Sequence, residues 1–210
     1  MIVVVFNKPD FEYDVHSLLK EFFPQEDVQM YYSCPPDEVE GKNLACTHHE
    51  MTDDGVKEFA DASQVFKIDY VGDEIAVEWT VNRADESDIK TAGESICKKI
   101  SVDGTDRKET KNRLKLALYC LIEKGTGNSL PWGTLSGIRP TKIAMKCIED
   151  GMSDKETYDY LKETYLASDE KIDLSIGIAK REKALLDKVD YDNGYSLYIG
   201  IPFCPSTCAY

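Results

Sequence analysis

The chain opens on a continuous apolar run. Ile2, Val3, Val4 and Val5, within Met1 to Phe6, are β-branched and predict a strand buried on both faces. Val15, Leu18, Leu19 and Phe22 then recur at helical spacing and predict a helix from Asp14 to Phe23, stopped by Pro24. Asp27 to Ser33 reads as a second strand, and residues 34–55, with Cys34-Pro35-Pro36 and a polar stretch, as loop. Ile75, Val77, Trp79 and Val81 alternate strictly within Glu74 to Asn82, and Val65, Ile68 and Tyr70 lie within Gln64 to Val71. Gly72-Asp73 stands between the two runs and predicts a hairpin. Ser87 to Ile100 is ambiguous in period; the reading leans to helix.

From Asp106 the pattern becomes helical throughout. Leu114, Leu118, Leu121 and Ile122 mark one face of a helix to about Lys124, ended by Gly125. Gly125 to Arg139 is a Gly-, Ser- and Pro-rich loop. Pro140 suits the first turn of a helix ending near Gly151, and Ser153 with Glu156 forms a capping-box signature for a helix to about Leu166. Ser168 can cap a long helix to about Val189. Tyr191 to Gly194 is turn chemistry, and Tyr195 to Ile201 reads as an apolar strand that Pro202 ends.

Charge and cysteine usage narrow the classes. The 210 residues hold 39 acidic and 25 basic side chains, a formal net charge of −14. Such a surface repels phosphate backbones and anionic lipid, so neither nucleic acid nor membrane is expected as a partner. The first residues have no basic stretch followed by a long apolar run, and no run reaches the roughly 18 apolar residues of a membrane span. Seven cysteines in a chain without a leader fit reduced thiols in the cytoplasm.

Three constellations could carry chemistry. Cys46, His48, His49 and Glu50 resemble a ligand set, but adjacent histidines seldom share one ion, and a solvated loop is the favoured reading. The Gly125–Lys142 stretch precedes a helix N-terminus that could attract an anion. It lacks the phosphate-loop pattern, and a packed loop with Trp132 as anchor and Arg139 as a charge clamp is preferred. Cys204 and Cys208 stand four apart after the last apolar run. Two cysteines alone would suit a zinc pair or inert loop thiols, yet no second ligand pair follows them.

The setting of that last pair is specific. Tyr198 to Tyr210 reads YIGIPFCPSTCAY, which resembles the C-x3-C-x2-C signature of radical S-adenosylmethionine (SAM) enzymes, and its flanks resemble the oxygen-independent coproporphyrinogen III oxidase-like family. Asn112 to Tyr119 (NRLKLALY) and Pro131 to Lys142 (PWGTLSGIRPTK) resemble a coproporphyrinogen dehydrogenase-like subgroup that carries an extra N-terminal domain. The resemblance implies that Cys204 and Cys208 ligate a 4Fe-4S cluster, with a third cysteine expected after Tyr210, and that Tyr198 and Tyr210 contact SAM. Gly200 stands where the family's oxidases often have His. The implied reaction is oxidative decarboxylation of propionate side chains to vinyl groups on a tetrapyrrole substrate, with an electron donor such as a flavodoxin or ferredoxin. With two of three ligands, the 210-residue chain itself is expected to be inert.

Together these readings predict an α+β fold: a mixed N-terminal α/β domain over residues 1–100, a helical module over 101–190, and at 191–210 the first strand of a truncated, partial TIM-like radical SAM barrel. A second reading keeps the N-terminal domain as a binding module for a tetrapyrrole or a redox partner.

Overall fold

The computed structural model describes residues 1–33, 59, 62–82, 95–135, 139–190, 193–195 and 197–200, and the backbone of 48–50. Among the described residues, six strands form one sheet in the order β3-β2-β1-β4-β5-β6. They are β1 (Ile2–Phe6), β2 (Val28–Tyr32), β3 (His48–Glu50), β4 (Gln64–Val71), β5 (Glu74–Val81) and β6 (Ser95–Ser101). β1 pairs in parallel with both β2 and β4, and β2 with β3; β4–β5 and β5–β6 are antiparallel. Helix α1 (Glu12–Phe22) connects β1 to β2. Four further helices follow the sheet: α2 (Arg107–Thr126), α3 (Pro140–Glu149), α4 (Asp154–Tyr165) and α5 (Asp169–Leu186).

The continuous apolar run of β1 has a simple cause: the strand lies in the interior of the sheet and is covered on both faces. Ile2, Val4 and Phe6 point into the main core, and Val3 and Val5 into a smaller cluster with Ala62, packed by Tyr31, Phe59 and Val65. In β5, strict alternation sends Ile75, Val77, Trp79 and Val81 inward. Trp79 stacks on Phe66 with ring centroids 5.5 Å apart, and its indole N–H donates to the buried Gln64 side chain at 3.1 Å. Gly72, at φ +58°, takes the first central position of the two-residue β4–β5 turn, where a positive φ suits the right-handed twist of the strands.

Helix α2 closes the same core from the helical side. Asp106 caps it by accepting from the Glu109 N–H, and Gly127 ends it in a left-handed conformation, two residues beyond the predicted stop at Gly125. Its Leu114, Leu118, Leu121 and Ile122 are buried with Val15, Leu18 and Leu19 of α1 against the sheet. The remaining helices build a second core from Ala144 of α3, Leu161 and Tyr165 of α4, Ile172, Ile176 and Ala179 of α5, and Leu135 of the preceding loop. The capping box predicted at Ser153 is formed, with Ser153 and Glu156 bonding reciprocally. Ser168 caps α5 by accepting from Lys171.

Three expectations are corrected. Within the stretch read as leaning to helix, residues 95–101 form strand β6. Ile96 and Ile100 are four apart, a spacing that keeps two side chains on one face of either a helix or a strand. Here both pack against the sheet core as antiparallel partners of Trp79 and Ile75. Within the stretch read as loop, His48–Glu50 is an edge strand on β2, too short for any period to show. Residues 197–200, read as part of a barrel strand, form no ladder, and Leu197, Tyr198 and Ile199 are exposed. An apolar run becomes a strand only when a partner takes its N–H and C=O groups, and none of the described strands does so. No helix among the described residues is long and apolar enough to cross a membrane.

Candidate functional site

Of the residues that the motif singles out, only Tyr198 falls among the described ones. Tyr198 is 91% exposed, while Cys204, Cys208 and Tyr210 lie outside the described residues. Cys46 and the side chains of His48, His49 and Glu50 lie outside them as well. Among the described residues no group of three or more His, Cys, Asp or Glu side chains could hold a metal ion. Arg139, read as a charge clamp, is exposed and forms no ion pair among the described residues.

What the structure does bring together is the pair of upstream stretches that carried the family resemblance. The loop 131–135 crosses the C-terminal end of α4. Thr134 N–H donates to the Tyr165 carbonyl at 2.7 Å, and Ser168 N–H to the Pro131 carbonyl at 2.9 Å. Trp132 packs against the second core, with the Lys171 ammonium 5.8 Å above its ring. At the crossing point Gly133 has φ +58°, and a Cβ there would lie 1.9 Å from the Tyr165 oxygen. On the other side, Tyr119 of α2 accepts from Leu130 N–H at 3.0 Å and meets Phe22 edge-on. Trp132 is thus an anchor, as the sequence suggested.

The loop fixed in this way forms one wall of a cleft of about 490 Å3. Helix α2 contributes Lys108, Lys111, Asn112 and Lys115. Helix α3 contributes Lys142, Ile143, Lys146 and Cys147. Thr134, Leu135, Met152, Tyr160 and Tyr165 complete the floor and far wall, and Asp14 and Asp150 stand at its margins. Five lysines therefore face two aspartates in a chain whose net charge is −14.

Their environments differ. Lys115 is buried, and burial pushes its ammonium below the ordinary lysine range; Asp14 and Glu21 pull it back up, and Lys111 pushes it down again. Lys146 is held above the usual range by its hydrogen bond to Asp150 at 2.6 Å. Lys111 lies 3.8 Å from Asp14. Lys108 and Lys142 are exposed and pair with no carboxylate among the described residues. Burial, reinforced by the Tyr160 hydroxyl 3.4 Å away, raises the Tyr165 phenol well above the tyrosine range, so it is a neutral hydrogen-bonding group at physiological pH. The Cys147 thiol is likewise pushed up by burial and by Asp150.

Sequence reading missed this cluster, although the signal was there. Lys108, Lys111 and Lys115 recur at i, i+3 and i+7, and Lys142 and Lys146 at i and i+4, so each set lies on one helix face.

Fold and cleft define a mixed α/β protein with a lysine-lined, small-molecule-sized cleft on its helical side. Among curated proteins the chain is similar to the oxygen-independent coproporphyrinogen-III oxidase-like protein HemZ of Bacillus subtilis (strain 168), at 40% identity over 121 residues. That alignment takes in 56% of this chain and 24% of HemZ, so the chain matches about a quarter of its relative's length. No family model matches the chain, and no solved structure matches it.

Proposed function

We propose that this chain is the N-terminal portion of a radical SAM oxidoreductase of the oxygen-independent coproporphyrinogen III oxidase-like family, working in porphyrin and haem biosynthesis in the cytoplasm. The observation that carries the reading is the 40% identity over 121 residues to a protein of that description. The run YIGIPFCPSTCAY supports it through the spacing of Cys204 and Cys208 and the aromatic residues around them.

Cys204 and Cys208 would hold a 4Fe-4S cluster, and their soft thiolates are the donor chemistry such a cluster takes. Tyr198 and Tyr210 would lie against SAM. The Tyr198 ring is open to solvent, so it is free to receive a ligand. When bound, cluster and SAM supply one-electron chemistry that generates a hydrogen-abstracting radical; the protein supplies position and exclusion of water and oxygen. The net reaction would be oxidative decarboxylation of coproporphyrinogen III propionates to vinyl groups, each propionate losing carbon dioxide and a hydrogen while SAM, cleaved to methionine and 5′-deoxyadenosine, serves as the oxidant and an electron donor such as a flavodoxin or ferredoxin supplies the priming electron. The 210 residues alone are inert on this reading. The second reading, a tetrapyrrole- or partner-binding module on a radical SAM enzyme of another substrate, is favoured by the cleft, whose lining among the described residues includes neither Tyr198 nor the Cys204–Cys208 pair.

The test is anaerobic cluster reconstitution on the protein from the complete reading frame, followed by assays for SAM cleavage and coproporphyrinogen III turnover. Cluster absorbance and SAM cleavage, both lost in Cys204→Ala and Cys208→Ala, are expected. SAM cleavage without coproporphyrinogen turnover would select the second reading. A reconstituted protein with neither cluster nor SAM cleavage would refute both.

A further inference from the structure

Lysines gathered on two facing helices cost stability. Like charges three or four residues apart on one helix repel, and here the lysine faces of α2 and α3 also repel each other across the cleft. The chain has acidic side chains in excess, 39 against 25 basic ones, yet among the described residues only Asp14 and Asp150 line this space. Lysines kept merely for solubility would be spread among those carboxylates. Their concentration creates a local positive field inside a negative molecule, and low-dielectric walls focus such a field.

The rest of the lining limits what would answer that charge. Leu135, Ile143 and Met152 offer apolar surface, and the rings of Tyr160 and Tyr165 meet edge-on with centroids 5.8 Å apart. Thr134, Asn112 and the tyrosine hydroxyls add neutral hydrogen-bonding groups. A volume of about 490 Å3 lies in the range of small-molecule sites, and an apolar wall with a few convergent polar groups is their usual lining. A polyanionic polymer would also meet a chain of net charge −14 beyond the cleft, whereas a small ligand would not.

We propose that the cleft between α2, α3 and α4 binds a small molecule carrying several carboxylate or phosphate groups on an apolar, ring-containing body. Lys108 and Lys142, at the mouth, take the anionic groups first. Lys115 and Lys111, deeper on α2, engage the group that enters furthest, and the apolar wall with the two tyrosines receives the body. Two sources share this chemistry, a tetrapyrrole polycarboxylate and a nucleoside polyphosphate. The inference deepens the second reading above, that of a binding module, and needs neither cluster nor SAM.

The experiment titrates the 210-residue chain with coproporphyrin III and, separately, with ATP, using isothermal calorimetry and, for the porphyrin, absorbance. The comparison protein is the double variant Lys108→Glu, Lys142→Glu, whose changes are both at exposed positions and whose fold is checked by circular dichroism. Saturable binding of at least one probe is expected, weakened roughly tenfold or more in the double variant and weakened by added salt. Binding of coproporphyrin III alone assigns the site to polycarboxylates, and binding of ATP alone to phosphate esters; either supports the proposal, as does binding of both. It is overturned if neither probe binds at about 1 mM. It is also overturned if the charge-reversed variant binds equally well, or if the uncharged tetramethyl ester of coproporphyrin III binds as tightly as the acid. SAM cleavage by the longer protein reads the other proposal separately, so either can fail without the other.

Discussion

Replacing Gly133 by alanine places a methyl carbon 1.9 Å from the Tyr165 carbonyl oxygen, and 2.6 and 2.7 Å from the carbonyl carbon and oxygen of Leu166. All three neighbours are backbone atoms at the C-terminal end of α4, so no side chain can swing away to make room. Two costs follow. The left-handed conformation at φ +58° disfavours an L residue by about 1–2 kcal/mol. Relieving the overlap requires the loop to lift off α4, which strains or breaks the bonds from Thr134 N–H at 2.7 Å and Thr134 Oγ at 3.4 Å to the Tyr165 oxygen. Each is worth about 0.5–1.5 kcal/mol net, and leaving buried groups unpaired adds to that. The sum is about 3–5 kcal/mol. For a chain of this size it lowers the melting temperature by roughly 6–20 °C.

Gly72 is the natural control. It has nearly the same φ, +58°, but a Cβ there meets nothing within 4 Å, so Gly72→Ala should cost only the conformational part, about 1–2 kcal/mol. Urea unfolding followed by circular dichroism would compare the two variants with the parent. The loop would be shown to lie elsewhere if Gly133→Ala were no more destabilising than Gly72→Ala, or within about 1 kcal/mol of the parent. Because Thr134 and Leu135 line the cleft, the same substitution should also impair any ligand binding there.

Two further predictions concern the sheet and its loops. Gln64→Met keeps the volume but leaves the Trp79 indole N–H unpaired in the core, and should cost about 1–3 kcal/mol in chemical denaturation; a neutral result would mean that another acceptor serves that N–H. Burial alone would raise the Asp10 carboxyl, but the hydrogen bonds and charges of Lys8 and Arg107 outweigh it and hold the group below the ordinary aspartate range. A depressed carboxyl contributes stability that is fully present above its unfolded pKa of 3.8 and is lost as pH falls through the folded value. The stability difference between the parent and Asp10→Asn should therefore be largest near neutral pH and shrink below about pH 4, and an unchanged gap down to pH 2.5 would contradict it.

Much of the fold was legible because the signals were local. The apolar run of β1, the alternation of β5, the Gly72-Asp73 turn and the Ser153–Glu156 box each depend on residues a few positions apart, and each forms as the sequence indicates. Strand β6 was not legible. Ile96 and Ile100 satisfy helix and strand equally, and only pairing with Trp79 and Ile75 of β5 decides between them. With Lys98 and Lys99 on an edge strand, the segment also has the charged character that keeps a sheet edge from recruiting another chain. That character weakens the very apolar pattern by which strands are recognised.

The cleft was illegible for a different reason. The sequence advertises chemistry through rare residues, and attention goes to Cys204 and Cys208 because two cysteines in a motif are improbable by chance. Lysines are common, and in a chain with 25 basic residues five of them raise no notice. Their meaning comes from two facts that only the fold supplies: α2 and α3 line one cleft, and among the described residues two carboxylates line it with five lysines. The part of the resemblance that looked least chemical, NRLKLALY and PWGTLSGIRPTK, turns out to build this space. The first supplies Asn112 and Lys115 from α2, and the second supplies Thr134, Leu135 and Lys142 around a glycine that tolerates no side chain. A stretch that served only to join two domains would need apolar contacts and turns. It would have no need to gather five lysines around one cavity with a neutral buried tyrosine, and that gathering is the strongest reason to look for a ligand there.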